Sequence, residues 1–138
     1  ADYWSSVGNY PASSEFRAPD GFQWLRHFEL PLPFTATLTI HFPGEARLVI
    51  MNAASPVSSR MTRMFAPIAR NFDLHVPVEE VHAFNLRVFE EDRLMVETQR
   101  PERLPLDLTL EAHIPADRSS IAYRRSLKKM GFGEFFLV

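Results

Sequence analysis

The chain has no cysteine, and that absence closes several possibilities at once. No disulfide scaffold can form, and no zinc site built on thiolates is available. Such a composition fits a reducing compartment, with the cytoplasm as the expected location. Long apolar runs are missing too. No stretch of the 138 residues is long and apolar enough to span a bilayer, and none reads as a signal peptide. Basic excess is also absent. The net charge is −2, and the short cluster Arg124-Arg125 and Lys128-Lys129 is no reason to expect nucleic acid. Finally, the five histidines, His27, His41, His75, His82 and His113, are scattered, with no pair at the spacing that puts two metal ligands on one helix face.

What is present can build a core. The length suits one domain with a real interior. Twelve phenylalanines supply both packing and the lining of a roomy apolar cavity. Residues 1–20, rich in Ser, Pro, Gly and Asn, read as an extended or poorly ordered lead-in, and residues 21–138 as the folded domain. Phe22 to Leu30 has strand character until Pro31 and Pro33 break it. Phe34 to Phe42 alternates and is rich in β-branched residues, which predicts a strand. Pro43-Gly44 is a turn, and Arg47 to Met51 returns to complete a hairpin. Pro56 is expected to interrupt, with Ser59 to Ile68 as the next strand and Asn71 to Pro77 as loop. Val78 to Gln99 has helical periodicity, with Pro101 beyond its end. Pro105 and Asp107 argue against a central strand in Leu104 to Leu110. Ala116-Asp117 opens a second helix, with Asp117 as N-cap and Gly131 as its close. Antiparallel strands followed by a long amphipathic helix form an α+β pattern.

The long helix carries the most informative residue. Steps of three and four gather Val78, Val81, His82, Asn85, Val88, Phe89, Asp92, Met95, Val96 and Gln99 on one face. That face is mostly apolar, yet Asp92 sits between Phe89 and Met95. A carboxylate there must be paired, protonated, exposed after all, or bound to a cation. Glu90, Glu91 and Arg93 fall largely on other faces.

Four segments carry a family resemblance. The run Val88-Phe89-Glu90-Glu91-Asp92-Arg93-Leu94-Met95-Val96-Glu97-Thr98-Gln99-Arg100-Pro101 resembles the C-terminal signature of Rieske-type non-haem iron oxygenases, in the vanillate O-demethylase-like and pheophorbide-oxygenase-like branch. Leu48 to Pro56, Leu104-Pro105-Leu106-Asp107-Leu108 and Asp117 to Arg125 resemble it as well. The resemblance runs through most of the chain after about Gly21. It implies a helix-grip fold, in which a curved antiparallel sheet wraps a long helix around an apolar cavity. It also implies that Asp92 is the carboxylate of a two-His-one-carboxylate Fe(II) site.

The resemblance further implies two histidine ligands and a 2Fe-2S Rieske cluster upstream of this segment. The cluster needs two Cys and two His, so it cannot lie in this chain. Together with the opening Ala1-Asp2-Tyr3-Trp4, this leads us to expect the C-terminal part of a longer oxygenase, inert as an isolated fragment. The expected reaction is hydroxylation or oxidative demethylation of an aromatic or bulky apolar compound, with electrons from a ferredoxin or reductase, in a homo-oligomer, commonly a trimer.

Other residues weigh less. His82, Asn85, Phe89, Met95, Ile50 and Met64 are candidates for a substrate pocket. For Asn85 and His82, a hydrogen-bonded interior role competes evenly or better. His113 and Asp117 are expected to fix a loop and cap the last helix. Tyr123, Arg124 and Arg125 read as surface or oligomer-contact residues. Glu97 and Gln99 belong to the motif without an evident chemical role. Trp24, Phe34, Leu38, Ile40, Leu48, Ile50, Met51, Met64 and Phe65 are expected to divide between core and cavity lining. The competing function is a non-catalytic helix-grip carrier of a hydrophobic metabolite, which has no need of Asp92.

Overall fold

The structure is a computed structural model that describes residues 1–6, 8, 10 and 15–133. Its strands are β1 (Asp2–Ser5), β2 (Trp24–Glu29), β3 (Thr35–His41), β4 (Arg47–Ser58), β5 (Met61–Phe65) and β6 (Ile68–Arg70). Helices α1 (Val78–Glu97) and α2 (Arg118–Lys129) follow, with short 3-10 turns at Leu108–Leu110 and Pro115–Asp117. The chain is therefore α+β, an antiparallel sheet of six strands followed by a long helix, the element order of a helix-grip domain. It divides into two compact units, Ala1–Leu74 and His75–Val138. Among the described residues no helix is long and apolar enough to cross a membrane.

In the first unit the strands follow one another as a meander, β1-β2-β3-β4-β5, with β6 also paired to β4. Register aligns the apolar residues. Leu38 faces Phe28 and Ile50, Ile40 faces Leu48, and Ile50 faces Ile68. Because alternate residues share a face, this row continues into Trp24, Phe42 and Ala46. These residues form the core with Phe72, and Tyr10, Phe16, Ala18 and Phe22 pack against it. Trp24 meets Phe42 edge-on at 4.9 Å, and Phe42 lies 4.6 Å from Phe72. Aromatic edges and faces attract in such arrangements beyond the area they bury.

Two prolines act differently from expectation. Pro56 does not interrupt its strand. It pairs with Thr62 inside β4, and the ladder shifts register between Pro56 and Ser58. Edge positions and bulges are where a residue without an N–H is tolerated. Pro67 breaks the predicted strand from Ser59 to Ile68 in two. β5 pairs with the far half of β4 and β6 with the near half. Between them the Pro67 carbonyl accepts from the Met51 N–H at 3.1 Å. The lead-in also contributes a strand, since β1 pairs with β2 from Asp2↔His27 to Ser5↔Trp24.

Of the residues expected to mix core and cavity lining, Trp24, Ile40 and Leu48 are buried, and Leu38 and Ile50 pack on them. Phe34, Met51, Met64 and Phe65 are exposed.

In the second unit, α1 begins after Pro77 with Glu79 and Glu80 in its first turn, where acidic side chains suit the helix dipole. It ends two residues earlier than its periodicity predicts. The Met95 carbonyl accepts from Thr98 Oγ1 at 2.8 Å and Gln99 Nε2 at 3.1 Å, which draws off the last turn before Pro101. Gly131 closes α2 as predicted. It has a φ of 87°, and Phe132 N–H donates to the Leu127 carbonyl at 3.1 Å. Asp117 caps the preceding turn rather than α2, accepting from the Ile114 N–H at 2.9 Å.

Candidate functional site

Helix α1 presents two faces that divide the charges of the motif. On one, Arg93 lies between Glu90 and Glu97 at helical spacings of three and four. Its guanidinium donates to both oxygens of Glu90, at 2.5 and 2.9 Å, and to Glu97 at 2.7 Å. The fork of an arginine matches a carboxylate in two parallel bonds. That bond from Arg93 holds the Glu90 carboxyl below the usual range and raises Arg93 itself.

Asp92 lies on the other face. A helix advances about 100° per residue, which puts Asp92 in line with Val81, Asn85 and Val88. Along that line Val81, Phe84, Val88 and Phe89 are half-buried and Asn85 is buried, donating to the Val81 carbonyl at 2.8 Å. From Glu90 onward every residue of α1 is exposed, Asp92 among them, and Met95 retains 67 % of its surface. The expected buried face is thus real from Val81 to Phe89 and stops there. Periodicity names the side that would be covered, and only packing decides how far the cover extends. The Asp92 carboxylate makes no hydrogen bond or ion pair among the described residues.

His82 is exposed, although the helical count puts it beside the half-buried stripe. Ile50 packs against the core of the first unit, facing Leu38 and Ile68. Met64 is exposed on β5, opposite Ala54. Among the described residues no three His, Asp or Glu side chains converge tightly enough to hold a metal ion. Asp92 is a single exposed carboxylate outside any such group.

The tail residues are structural. His113 Nε2 donates to the Leu108 carbonyl at 3.0 Å, and the Asp107 carboxylate accepts from the Thr109 N–H at 2.9 Å. These bonds fix the Pro-rich connection, as expected of His113. Arg124 corrects the surface reading. It is buried, ion-paired with Glu111, and donates to the Pro105 carbonyl at 3.3 Å. Tyr123 is half-buried, and burial pushes its phenol up, while Arg125 is exposed. A buried arginine between two exposed-looking neighbours has no signature in spacing, and only the partner Glu111 explains it.

The first unit holds a cleft that the sequence did not announce, about 430 Å³, lined by Ser6, Gly8, Tyr10, Arg17, Ala18, Pro19, Asp20, Gly21, Phe22 and Trp24. None of the residues singled out for metal or substrate lines it, but Trp24, expected to serve core or cavity lining, does.

Comparison with known proteins places these features. Residues 6–131 match the vanillate O-demethylase oxygenase C-terminal domain. The chain is also similar to methylxanthine N1-demethylase NdmA of Pseudomonas putida, with 33 % identity over 105 residues, 72 % of this chain and 27 % of that protein. Methylxanthine N3-demethylase NdmB of the same organism is 29 % identical over 104 residues, 75 % of this chain and 28 % of its own length. The chain spans about a quarter of the length of these relatives. Because the family match covers nearly all of the described residues, the chain belongs to the vanillate O-demethylase oxygenase C-terminal domain family.

Proposed function

We propose that this domain forms the substrate-binding and mononuclear-iron part of an oxygenase that removes a methyl group oxidatively from an aromatic or heteroaromatic compound. The observation that carries the reading is the family match through residues 6–131, which includes the whole Val88 to Pro101 signature. The two N-demethylase relatives favour demethylation over ring hydroxylation. The helix-grip body would comprise residues 21–138, with residues 1–20 leading into it and adding β1 to its sheet.

In this reading Asp92 would supply one oxygen ligand to Fe(II), together with two histidines outside this chain. When bound, the iron would supply the chemistry that activates dioxygen for oxidation of the substrate methyl group. The overall reaction puts one oxygen atom on the methyl carbon and releases the other as water, consuming two electrons and two protons. The hydroxymethyl product then loses formaldehyde and leaves N–H or O–H behind. The electrons come from a 2Fe-2S Rieske cluster outside this chain, fed by a ferredoxin or reductase, and the working enzyme is a homo-oligomer. The reducing cytoplasm suits an enzyme that needs Fe(II) and an electron donor. His82, Asn85, Phe89 and Met95 neighbour Asp92 along α1 and are the pocket candidates of this helix.

The test is iron content. Asp92→Asn in the enzyme containing this domain keeps the shape and removes the charge. Loss of most of the mononuclear iron, with the Rieske spectrum unchanged, is the expected result. Full retention of that iron would overturn the ligand assignment and bring forward the carrier reading.

A further inference from the structure

Strand β4 sets an amide among apolar neighbours. Alternate residues of a strand share a face, so Asn52 continues the row of Leu48, which is fully buried, and Ile50, which packs against the core. The ladder places Asn52 opposite Ala36, with Leu38 on the diagonal, and places its strand neighbours Ile50 and Ala54 opposite Ile68 and Met64. None of these side chains can donate a hydrogen bond. Asn52 Oδ1 is shut off from solvent and has no hydrogen-bond partner among the described residues. A buried acceptor left without a donor costs more than an ordinary hydrogen bond contributes. Water is a poor remedy, because a trapped molecule needs several polar partners, and the side chains around Asn52 supply none besides the amide itself.

We propose that Asn52 reads the polar edge of the bound substrate, accepting a hydrogen bond from an N–H or O–H group that sits beside a carbonyl or ring nitrogen. The inference deepens the proposed function, on which it rests for calling the bound molecule a substrate. The surroundings are those of a ligand pocket, where apolar walls bind and a few placed polar groups orient. Asn52 as a whole is half-buried, so part of its amide keeps contact with the surface. The terminal torsion of asparagine is soft, and a half-turn about it exchanges oxygen and nitrogen. The amide then offers an acceptor to the ligand's N–H or O–H and a donor to the adjacent acceptor. An uncharged amide matches an uncharged edge, so the class of ligand is a neutral, planar molecule with donor and acceptor side by side.

The experiment uses the enzyme containing this domain, with no reductant present, and two probes. One is 2-pyridone, with an N–H beside its carbonyl, and the other is 1-methyl-2-pyridone, in which a methyl group replaces that hydrogen. Ligand-observed NMR titration gives both affinities. The expected result is about a tenfold preference for 2-pyridone, the contribution of one hydrogen bond, reduced to near parity by Asn52→Leu. That variant keeps its iron and its Rieske spectrum, and its melting temperature stays level or rises, since an unmatched polar atom is gone. Asn52→Ala serves if the leucine variant does not fold. Equal affinities in the unsubstituted enzyme, no binding of either probe, or a preference that survives substitution would overturn the assignment. A purely structural role for Asn52 would lower the melting temperature of both variants and leave the preference intact. These outcomes are separate from those of the iron test. A preference that depends on Asn52, in an enzyme whose Asp92→Asn variant keeps its iron, leaves Asn52 reading the ligand of a carrier. Loss of iron from Asp92→Asn without any such preference sinks the Asn52 assignment alone.

Discussion

Arg124 is buried against Glu111, thirteen residues earlier in the chain, and the pair ties helix α2 to the Pro-rich connection before it. The same guanidinium reaches the Pro105 carbonyl, so one side chain holds two points of an irregular segment. A charged pair with one partner 9 % and the other 25 % exposed is sensitive to loss of either member, because the survivor keeps its desolvation cost.

Arg124→Met is therefore expected to destabilise the chain by about 2–4 kcal/mol, the lower end reflecting the partial exposure of Glu111. Arg124→Met combined with Glu111→Leu should recover part of that loss, since no lone charge remains. Urea unfolding followed by circular dichroism checks both, and equal stability of the single and double variants would refute the pairing.

A second prediction concerns Gly8. A Cβ built there would lie 2.1 Å from the Trp24 indole, so the backbone of Gly8 rests directly on that ring. Trp24 is itself buried in the core and locked edge-on against Phe42, so it cannot yield. Gly8→Ala should cost about 1–3 kcal/mol, the usual range for forcing extra carbon into packed space. Lifting the segment would wet the indole, seen as a red shift in tryptophan fluorescence. An unchanged spectrum and unchanged melting temperature would contradict the contact.

Acid should loosen the sheet in two stages. Burial, with Arg47 adding to it, holds the His41 imidazole below its ordinary range. The hydrogen bond from His27, 2.5 Å from Asp2, holds the Asp2 carboxyl below its own. Both groups bind protons more readily when unfolded. Each therefore stabilises the fold above its ordinary titration range and loses that contribution as pH falls through its depressed value. His41 acts first, below the usual imidazole range, and Asp2 only below the usual carboxylate range. Stability measured against pH should fall in those two windows. His27→Asn should return the Asp2 carboxyl toward its ordinary range by NMR titration and leave the His41 stage in place.

Much of this fold was legible from residue pattern. Alternation located β2, β3 and the start of β4, and period-3.6 spacing located α1 to within two residues at its end. Gly131 marked the close of α2. What the pattern could not reveal depended on partners distant in sequence. Pro56 stays within β4 because it meets Thr62 at an irregular edge. Arg124 is interior because Glu111 is there to meet it. Phe42 and Phe72 belong to the core through ring contacts that no local period encodes. At the candidate site, the motif singled out Asp92, and helical spacing alone would have linked Glu90, Arg93 and Glu97. The exposure of α1 beyond Phe89 is a matter of what covers it, which periodicity does not state.

The split of β5 from β6 at Pro67 has an evolutionary side. β4 shares its near half with a packed sheet, and its far half with a strand whose five residues are all exposed. Substitutions at exposed sites away from packing contacts typically change stability little. The outer hairpin around Ser59 and Arg60 can therefore drift in sequence, length and charge while the half of β4 bearing Leu48 stays constrained. Within one continuous strand, the molecule keeps a conservative end and a permissive one, and the permissive end is where relatives of this domain have most room to diverge.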